Sequence, residues 1–505
     1  MINASVHIPD DFMSKKLKIT NYPCGKRKIQ ISSNWLPLYL FEKGTKVIEK
    51  IMDNDEGITV SLASKEPLVH KPKQIYQREY KKRTNKPFEE LYEISAKSLL
   101  DKVIPKNCEF VHVIFTMGKL FVRPWVNALA KRIAQVVKSK RPFSCFAVCS
   151  SGIDAYAAYE RGFEINSLLD ARPKEKRDGD ADLSETGVLT AIANLPIKQV
   201  YNEDINTIDA GFVKRTATPS TVFTVSLQCN DVSHMKPKEK KEKALVDLSS
   251  SIDMAYDGLR LIESVQPPVV VLEQVRSFLS SDLYKMWELR LAKWGYTVYT
   301  KTMMGIEHGS HTPRARCFSV ATSLPSAFSF PEIEEQEKTS FWDRVIAKHI
   351  PFMRDVSHSK SLQDGLKCGR LRIINSQSTH SPTPLKSQPQ MAKDSLIVVD
   401  DDGRFLWPTN QLLRELMSIP TEFDQNITGA TIETNVIGQA VDFKVYSQLM
   451  QSVKNHIQDF LDMKNPLAKQ LINHKSPLVN KPAANMCTQS IPFNPLTQED
   501  QLALF

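Results

Sequence analysis

Thr221-Val222-Phe223-Thr224-Val225-Ser226-Leu227-Gln228-Cys229-Asn230-Asp231-Val232-Ser233 begins with β-branched and aromatic residues and runs into a polar turn. Its first five residues read as a strand. The cysteine comes just past the strand's end, beside small polar residues, and a lysine-rich stretch follows from His234 to Lys243. A thiol attacks only as thiolate, with a free pKa of about 8.5, and polar donors with nearby positive charge favour that form. The competing reading is an inert cysteine buried as a small hydrophobe, the commoner state of an unpaired one.

Two stretches downstream sharpen the reading. Gln266-Pro267-Pro268-Val269-Val270-Val271-Leu272-Glu273-Gln274-Val275 is a short apolar run ending in one carboxylate. A run of this kind reads as a buried strand of a parallel sheet. Glu273 falls at its carboxyl end, where open α/β sheets hold ligands. Thr312-Pro313-Arg314-Ala315-Arg316-Cys317-Phe318-Ser319-Val320-Ala321 starts another strand with two arginines at i and i+2, positions that share a face in a strand.

A cysteine, a strand-end glutamate and an Arg-x-Arg strand, in this order, resemble the DNA cytosine-5 methyltransferases. That family's motifs read Pro-Cys-Gln, Glu-Asn-Val and Gln-x-Arg-x-Arg. Here they read Gln228-Cys229-Asn230, Glu273-Gln274-Val275 and Thr312-Pro313-Arg314-Ala315-Arg316. The resemblance implies that Cys229 attacks a cytosine ring, that Glu273 holds and protonates ring nitrogen 3, and that Arg314 and Arg316 fix base and nucleophile. It also implies S-adenosylmethionine as methyl donor and double-stranded DNA as substrate.

Upstream, Phe146-Ala147-Val148 reads as a short strand, Cys149-Ser150-Ser151-Gly152-Ile153 as a loop of small residues, and Asp154 to Arg161 as a helix closed by Gly162-Phe163. Glu164 to Leu169 is a second strand, ending in Asp170. Strand, small-residue turn, helix, strand and terminal acid suit an adenosine-containing cofactor, although a plain βαβ unit reads the same way. By resemblance Val148, Cys149, Ser150 and Gly152 form the cofactor loop and Asp170 binds the ribose. Asn202-Glu203-Asp204-Ile205 resembles the family's Gly-Asp-Ile, so Asp204 and Ile205 meet the adenine. Ile437-Gly438-Gln439-Ala440-Val441 resembles Gly-Asn-Ala-Val, which returns to the same site through Gln439. Arg414 and Glu415 match the family's Arg-Glu segment.

At 505 residues the chain should form more than one domain. The alternation of strands and helices from 143 to 322 predicts a doubly wound α/β domain with a mostly parallel sheet, and the resemblance makes it class I methyltransferase-like. Residues 1–140 read as an N-terminal α+β domain without family resemblance. Residues 141–322 are the catalytic and cofactor-binding domain, 323–400 a small target-recognition region, 401–463 the return to the catalytic domain, and 464–505 a flexible tail. Residues 244–265 read as one amphipathic helix with Leu245, Leu248, Ile252, Ala255, Leu259 and Ile262 as core. Trp407 to Phe423 and Lys444 to Met463 read as helices.

The net charge of +9 suits a polyanion partner, with basic patches at Lys71 to Arg83, Lys131 to Arg141 and Lys236 to Lys243. Solvated faces account for them equally well. Ser233, Lys367, Arg370 and Arg372 are the expected DNA contacts. The eight cysteines show no metal spacing, so no metal is expected. No run approaches the roughly 18 apolar residues of a membrane span, and a cytoplasmic, nucleoid-associated monomer is expected. Gln501, Leu502, Leu504 and Phe505, with Ala503 between, resemble the bacterial sliding-clamp binding motif Gln-Leu-(Ser/Asp)-Leu-Phe. Two apolar anchors on a tail suit a hydrophobic pocket on a partner; docking onto the chain's own core is the other reading. Two further functions stay open: a weak or inactive DNA-binding, clamp-associated protein that keeps the fold, and an RNA methyltransferase.

Overall fold

The computed structural model describes residues 8–463 except 53–56, 64–71, 85–86, 106–107, 126–127, 175–179, 181, 229–230, 233–235, 334–339 and 425–428. The described residues fall into two compact units, one ending at Lys131 and one running from Arg132 to Met463.

The first unit carries nine strands among the described residues: β1 (Met13–Asn21), β2 (Arg27–Ser32), β3 (Lys46–Ile51), β4 (Ile58–Leu62), β5 (Lys73–Gln74), β6 (Tyr76–Glu79), β7 (Phe88–Ile94), β8 (Phe110–Thr116) and β9 (Lys119–Trp125). They form one sheet in the order β5-β3-β4-β9-β8-β1-β2-β7-β6. Its two edge strands are consecutive in the chain, with only Ile75 between them, so the sheet closes on itself as a barrel. Closure removes the unpaired edges that an open sheet must shield. Alternation fills the inside with Ile29, Ile31, Val60, Val111, Val113, Phe115, Leu120 and Val122, all fully buried. Strands β8 and β9 form a hairpin around Met117-Gly118, with Gly118 at φ 73°. A single seven-residue helix, Lys97–Val103, is described before β8, so the unit is chiefly β.

The second unit is built on β10 (Ser144–Val148), β11 (Glu164–Leu169), β12 (Gln199–Tyr201), β13 (Val222–Ser226), β14 (Val269–Val275), β15 (Thr297–Met304) and β16 (Ala315–Thr322). Their order is β12-β11-β10-β13-β14-β16-β15. All neighbours run parallel except that β16 is antiparallel to β14 and β15. The sheet is wound on both faces, as expected. Phe146, Val148, Phe223, Val225, Val270 and Leu272 pack with Leu259, Ile262, Trp287 and Leu291 of the helices Met254–Val265 and Asp282–Lys293. The helix Phe443–Asp462 reaches β16 through Tyr446, whose ring lies 6.2 Å from that of Phe318. It also meets the first βα unit, where Arg161 Nε donates to Ser447 Oγ at 2.6 Å and Tyr156 lies 6.1 Å from Phe443.

A small sheet follows: β17 (Arg354–Asp355), β18 (Arg372–Ile374), β19 (Leu396–Val399) and β20 (Phe405–Trp407), in the order β17-β20-β19-β18. Val356, Leu362, Ile397 and Phe405 form its core. This sheet continues past residue 400, through β20.

Two expectations are corrected. Residues 244–265 are not one helix but parts of two, Lys238–Val246 and Met254–Val265. Between them Asp247 Oδ1 accepts from the Ser249 amide at 3.2 Å, and Asp231 Oδ2 accepts from the Ser251 amide at 2.9 Å. Side chains that bond local amides compete with the helical ladder. Leu245 and Leu248 are consequently 53% and 91% exposed rather than core, whereas Ala255, Leu259 and Ile262 are buried. The segment from Trp407 to Phe423 divides into the end of β20 and a short helix, Asn410–Leu416. Thr409 Oγ1 caps that helix by accepting from the Leu412 amide at 3.2 Å.

Candidate active site

The strand order reverses between β10 and β13. At such a switch point the loops leaving the two strands diverge and open a crevice at the carboxyl ends. The loop after β10 is Cys149–Gly152 and the loop after β13 begins at Leu227.

In the first loop Cys149 takes φ 54° and Gly152 φ 101°, both in the left-handed region. The resemblance expects a glycine at each. A Cβ on Gly152 would stand 2.9 Å from the Ala191 Cα, so glycine is required there for close approach of the next helix. Ser150 Oγ accepts from the Gly152 amide at 3.2 Å and donates to Asp154 Oδ1. Asp154, in the first turn of the helix Ile153–Glu160, was not foreseen as a site residue. Its position in the first helical turn after a small-residue loop was the available signal.

Asp170 follows β11, and its amide donates to the Tyr201 carbonyl at 3.1 Å. Burial first, and then Asp154, push its carboxyl up to about 7. Asp154 itself is pushed up to about 6, chiefly by burial. A Cβ on Gly187 would stand 2.0 Å from Asp170 Oδ2, so the chain leaves the carboxylate space that any other residue would fill. Burial, followed by Asp170, Asp204 and Asp154, holds the Cys149 thiol well above its ordinary value, which makes it a poor nucleophile. Asp204 is exposed, whereas Ile205 and Val148 are buried in the core, so only their main chain can meet a ligand.

Cys229, Asn230 and Ser233 lie outside the described residues. The residues on either side of them are tied to the β14 segment. Ser226 is the register partner of Glu273. Gln274 Nε2 donates to the Leu227 carbonyl at 2.9 Å, and its Oε1 accepts from the Val275 amide at 2.7 Å. Ser277 Oγ donates to the Val232 carbonyl at 2.8 Å. Asp231, buried, accepts from Lys236 and from both the amide and the hydroxyl of Ser251. Gln274, where the family pattern has Asn, therefore engages both ends of its amide.

Glu273 Oε1 lies 2.9 Å from Arg316 Nε. Burial holds the Glu273 carboxyl above its ordinary range in spite of the opposing pull of Arg316 and Arg314. The two arginines thus converge on one acid but differ in their other contacts. Arg314 Nη2 donates to the Gly438 and Gln439 carbonyls at 3.2 and 3.1 Å, linking β16 to the end of the helix Ala430–Gln439. The Gln439 side chain is exposed. Arg414 Nη2 donates to the Pro420 carbonyl at 2.9 Å and bonds Phe423, closing the turn after its helix.

Before β18, Lys367 ends the helix Lys360–Lys367 and Arg370 lies in the turn that follows; both are exposed. Arg372 is half-buried, and its Nη1 donates to the Thr383 carbonyl at 2.8 Å, a structural contact within the region. Gln501, Leu502, Leu504 and Phe505 lie outside the described residues. Among the described residues no helix is long and apolar enough to cross a membrane.

Two buried polar atoms near the strand ends are left without partners, as suits a site for a polar cofactor. The Asp154 Oδ2 and Ser226 Oγ atoms are buried without a hydrogen-bond partner among the described residues. Ser226 ends β13, and Asp154, in the first turn of the helix after β10, is the acid that helps to raise the Asp170 carboxyl.

Residues 188–400 match the family model described as C-5 cytosine-specific DNA methylase. Among solved structures, the Dnmt2 methyltransferase of S. pombe matches with a TM-score of 0.45 and 15% identity, over 61% of this chain and 97% of that one. The methyltransferase EhMeth of Entamoeba histolytica matches with a TM-score of 0.47 and 16% identity, over 62% and 98%. A search of curated proteins found no match.

Proposed function

We propose that the protein is a DNA cytosine-5 methyltransferase, moving a methyl group from S-adenosylmethionine to a cytosine turned out of the duplex. The observation that carries this reading is Glu273, ion-paired to Arg316 and in register with Ser226, three residues ahead of Cys229 in the chain. The methylase match over 188–400 supports it.

Ring carbon 5 of cytosine is too electron-poor to take a methyl group directly. The Cys229 thiolate adds to carbon 6, and the electron pair of the 5,6 double bond makes carbon 5 nucleophilic. Glu273 donates a proton at ring nitrogen 3, which spreads the developing charge. Acid assistance of this kind contributes roughly 10²–10⁴-fold. The burial that raises the Glu273 carboxyl favours the protonated form that the step needs. Carbon 5 then takes the methyl group, with the thioether S-adenosylhomocysteine as leaving group, and gives up its proton to water; carbon 6 releases Cys229 as thiolate, and ring nitrogen 3 returns its proton to Glu273.

S-adenosylmethionine supplies an electrophilic methyl group on a sulfonium sulfur. Asp170 would take its ribose hydroxyls, Asp204 its adenine amino group, and the Cys149–Gly152 loop with Gln439 its methionine end. Arg316 holds Glu273, and Arg314 holds the strand against the helix that returns to the site. Lys367 and Arg370 are the exposed cations for DNA, ahead of β18, and Ser233, four residues after Cys229 in the chain, would add a contact. The target base must leave the stack to reach the thiol. The tail residues Gln501, Leu502, Leu504 and Phe505 would dock on a bacterial sliding clamp.

Bisulfite sequencing of DNA from an expression host tests the reading and gives the target sequence. Methylation with the wild-type chain and none with Cys229→Ala is the expected result. A Cys229→Ala protein that still transfers labelled methyl groups to cytosine would end this mechanism.

A further inference from the structure

All of the net charge sits on the first unit's stretch of sequence. Residues 1–131 hold 23 Lys and Arg against 14 Asp and Glu, while residues 132–505 hold 43 of each. Residues 132–505, which include the methylase match, are therefore neutral overall, and residues 1–131 carry the whole +9.

In the barrel's basic-aromatic segment from Lys71 to Arg83, Lys73 pairs with Glu49 at 2.8 Å, and Arg83, the cation beside an aromatic ring, is engaged locally as well. Arg83 pairs with Glu89 at 2.7 Å and stacks 4.0 Å from the Tyr80 ring, whose hydroxyl lies 3.3 Å from Ser32 Oγ. The outer face of β1, β8 and β9 is different. Strand register sets Lys16 beside His112 and His112 beside Arg123, as one row across three strands. The next row is Lys18, Phe110 and Trp125. Alternate residues of the same strands, Val111, Val113, Leu120 and Val122, fill the barrel core. These two rows therefore face outward.

Lys16, Lys18, Arg123 and Trp125 are exposed, Trp125 by 42%. Among the described residues none of the three cations forms an ion pair with a carboxylate. Lys16 Nζ lies 4.3 Å from the Phe110 ring centre and 4.6 Å from that of Trp125, so its ammonium rests on apolar rings instead. That contact removes water from the charge, and burial lowers the Lys16 pKa, with Glu109 the acid that partly offsets it. A partly desolvated cation without a paired carboxylate is stabilised by an incoming anion. Flat rings beside it exclude water from the contact.

We propose that this face of the barrel binds the phosphate backbone of duplex DNA, independently of base sequence, through Lys16, Lys18 and Arg123. His112, Phe110 and Trp125 form the surface between them. A second unit without net positive charge gains little long-range attraction for a polyanion, and the +9 of residues 1–131 supplies it. The choice of DNA over RNA rests on the proposed function; the polyanion chemistry does not.

The test is equilibrium binding of the full chain to a labelled duplex by fluorescence anisotropy, without cofactor, from 50 to 300 mM salt. Each phosphate contact contributes about 0.9 to the slope of log affinity against log salt. The triple variant Lys16→Ala/Lys18→Ala/Arg123→Ala should lower that slope by about 2–3 and weaken binding at least tenfold at low salt. A control, Lys43→Ala/Lys46→Ala/Lys81→Ala, removes the same charge from exposed positions on other strands and loops and should change the slope by less than about 1. Equal effects of the two triples would overturn the proposal, as would a loss confined to an RNA duplex of the same sequence. Arg123→Glu alone, at an exposed position, gives the same reading if the triple variant fails to fold. A wild-type chain that binds DNA but never methylates it would sink the proposed function and leave this inference standing.

Discussion

Asp170→Asn should stabilise the cofactor-free protein at alkaline pH while removing its response to S-adenosylmethionine. The carboxyl is pushed from 3.8 to about 7 by burial and by Asp154. Between those two values the folded form binds more protons than the unfolded one, so stability falls as pH rises from about 4 to about 7 and is level above. At about 1.4 kcal/mol per pH unit the ceiling is about 4 kcal/mol. Asp170 is only half-buried, so solvent screens part of this, and about 1–2 kcal/mol is the working figure. Asparagine keeps the shape and cannot ionise. Its advantage is therefore negligible near pH 4 and complete above pH 7, where it corresponds to a rise of about 2–6 °C in Tm. Differential scanning fluorimetry at pH 5 and pH 8, with and without S-adenosylmethionine, reads both effects. A variant no more stable than wild type at pH 8, or one that still gains stability from the cofactor as wild type does, would refute the assignment of Asp170.

Gly187→Ala places a methyl group 2.0 Å from Asp170 Oδ2, and cofactor affinity measured by calorimetry should fall at least about tenfold. Glu273→Gln keeps the volume but loses both the donated proton and the ion pair with Arg316; methyl transfer should drop by about 10²–10⁴ while duplex affinity changes little. A rate within a few fold of wild type would remove Glu273 from the mechanism. Deleting residues 501–505 should abolish co-elution with a bacterial sliding clamp and leave methylation of naked DNA intact. Unchanged co-elution would rule the clamp out.

The strands of the second unit were legible where buried parallel strands are apolar runs, as in Val269–Leu272 with Glu273 after it, while the short strand Glu164–Leu169 was marked by the helix-ending glycine before it and Asp170 after it. The break at residues 247–253 was hidden because the pattern of Leu245, Leu248 and Ile252 has helical spacing. Only the competing bonds from Asp247 and Asp231 show why the chain departs from it. Arg372 had the composition of a DNA contact, but its burial and the Thr383 carbonyl depend on a neighbour eleven residues away. Barrel closure was equally silent, since two edge strands of two and four residues carry too little pattern to announce themselves.

Composition and order of residues alone determined that a cysteine, an acid at a strand's end and two arginines occur in one α/β domain, because alternation and apolar runs are local properties of a chain. Only the tertiary structure decided that Arg316 pairs with Glu273 while Arg314 grips the carbonyls of Gly438 and Gln439. Two arginines at i and i+2 look equivalent along a strand. What distinguishes them is the partner packed against each: for Arg316 it is Glu273 on the neighbouring strand β14, and for Arg314 the carbonyls of Gly438 and Gln439, more than a hundred residues away, just before the helix Phe443–Asp462 that is buried on the sheet.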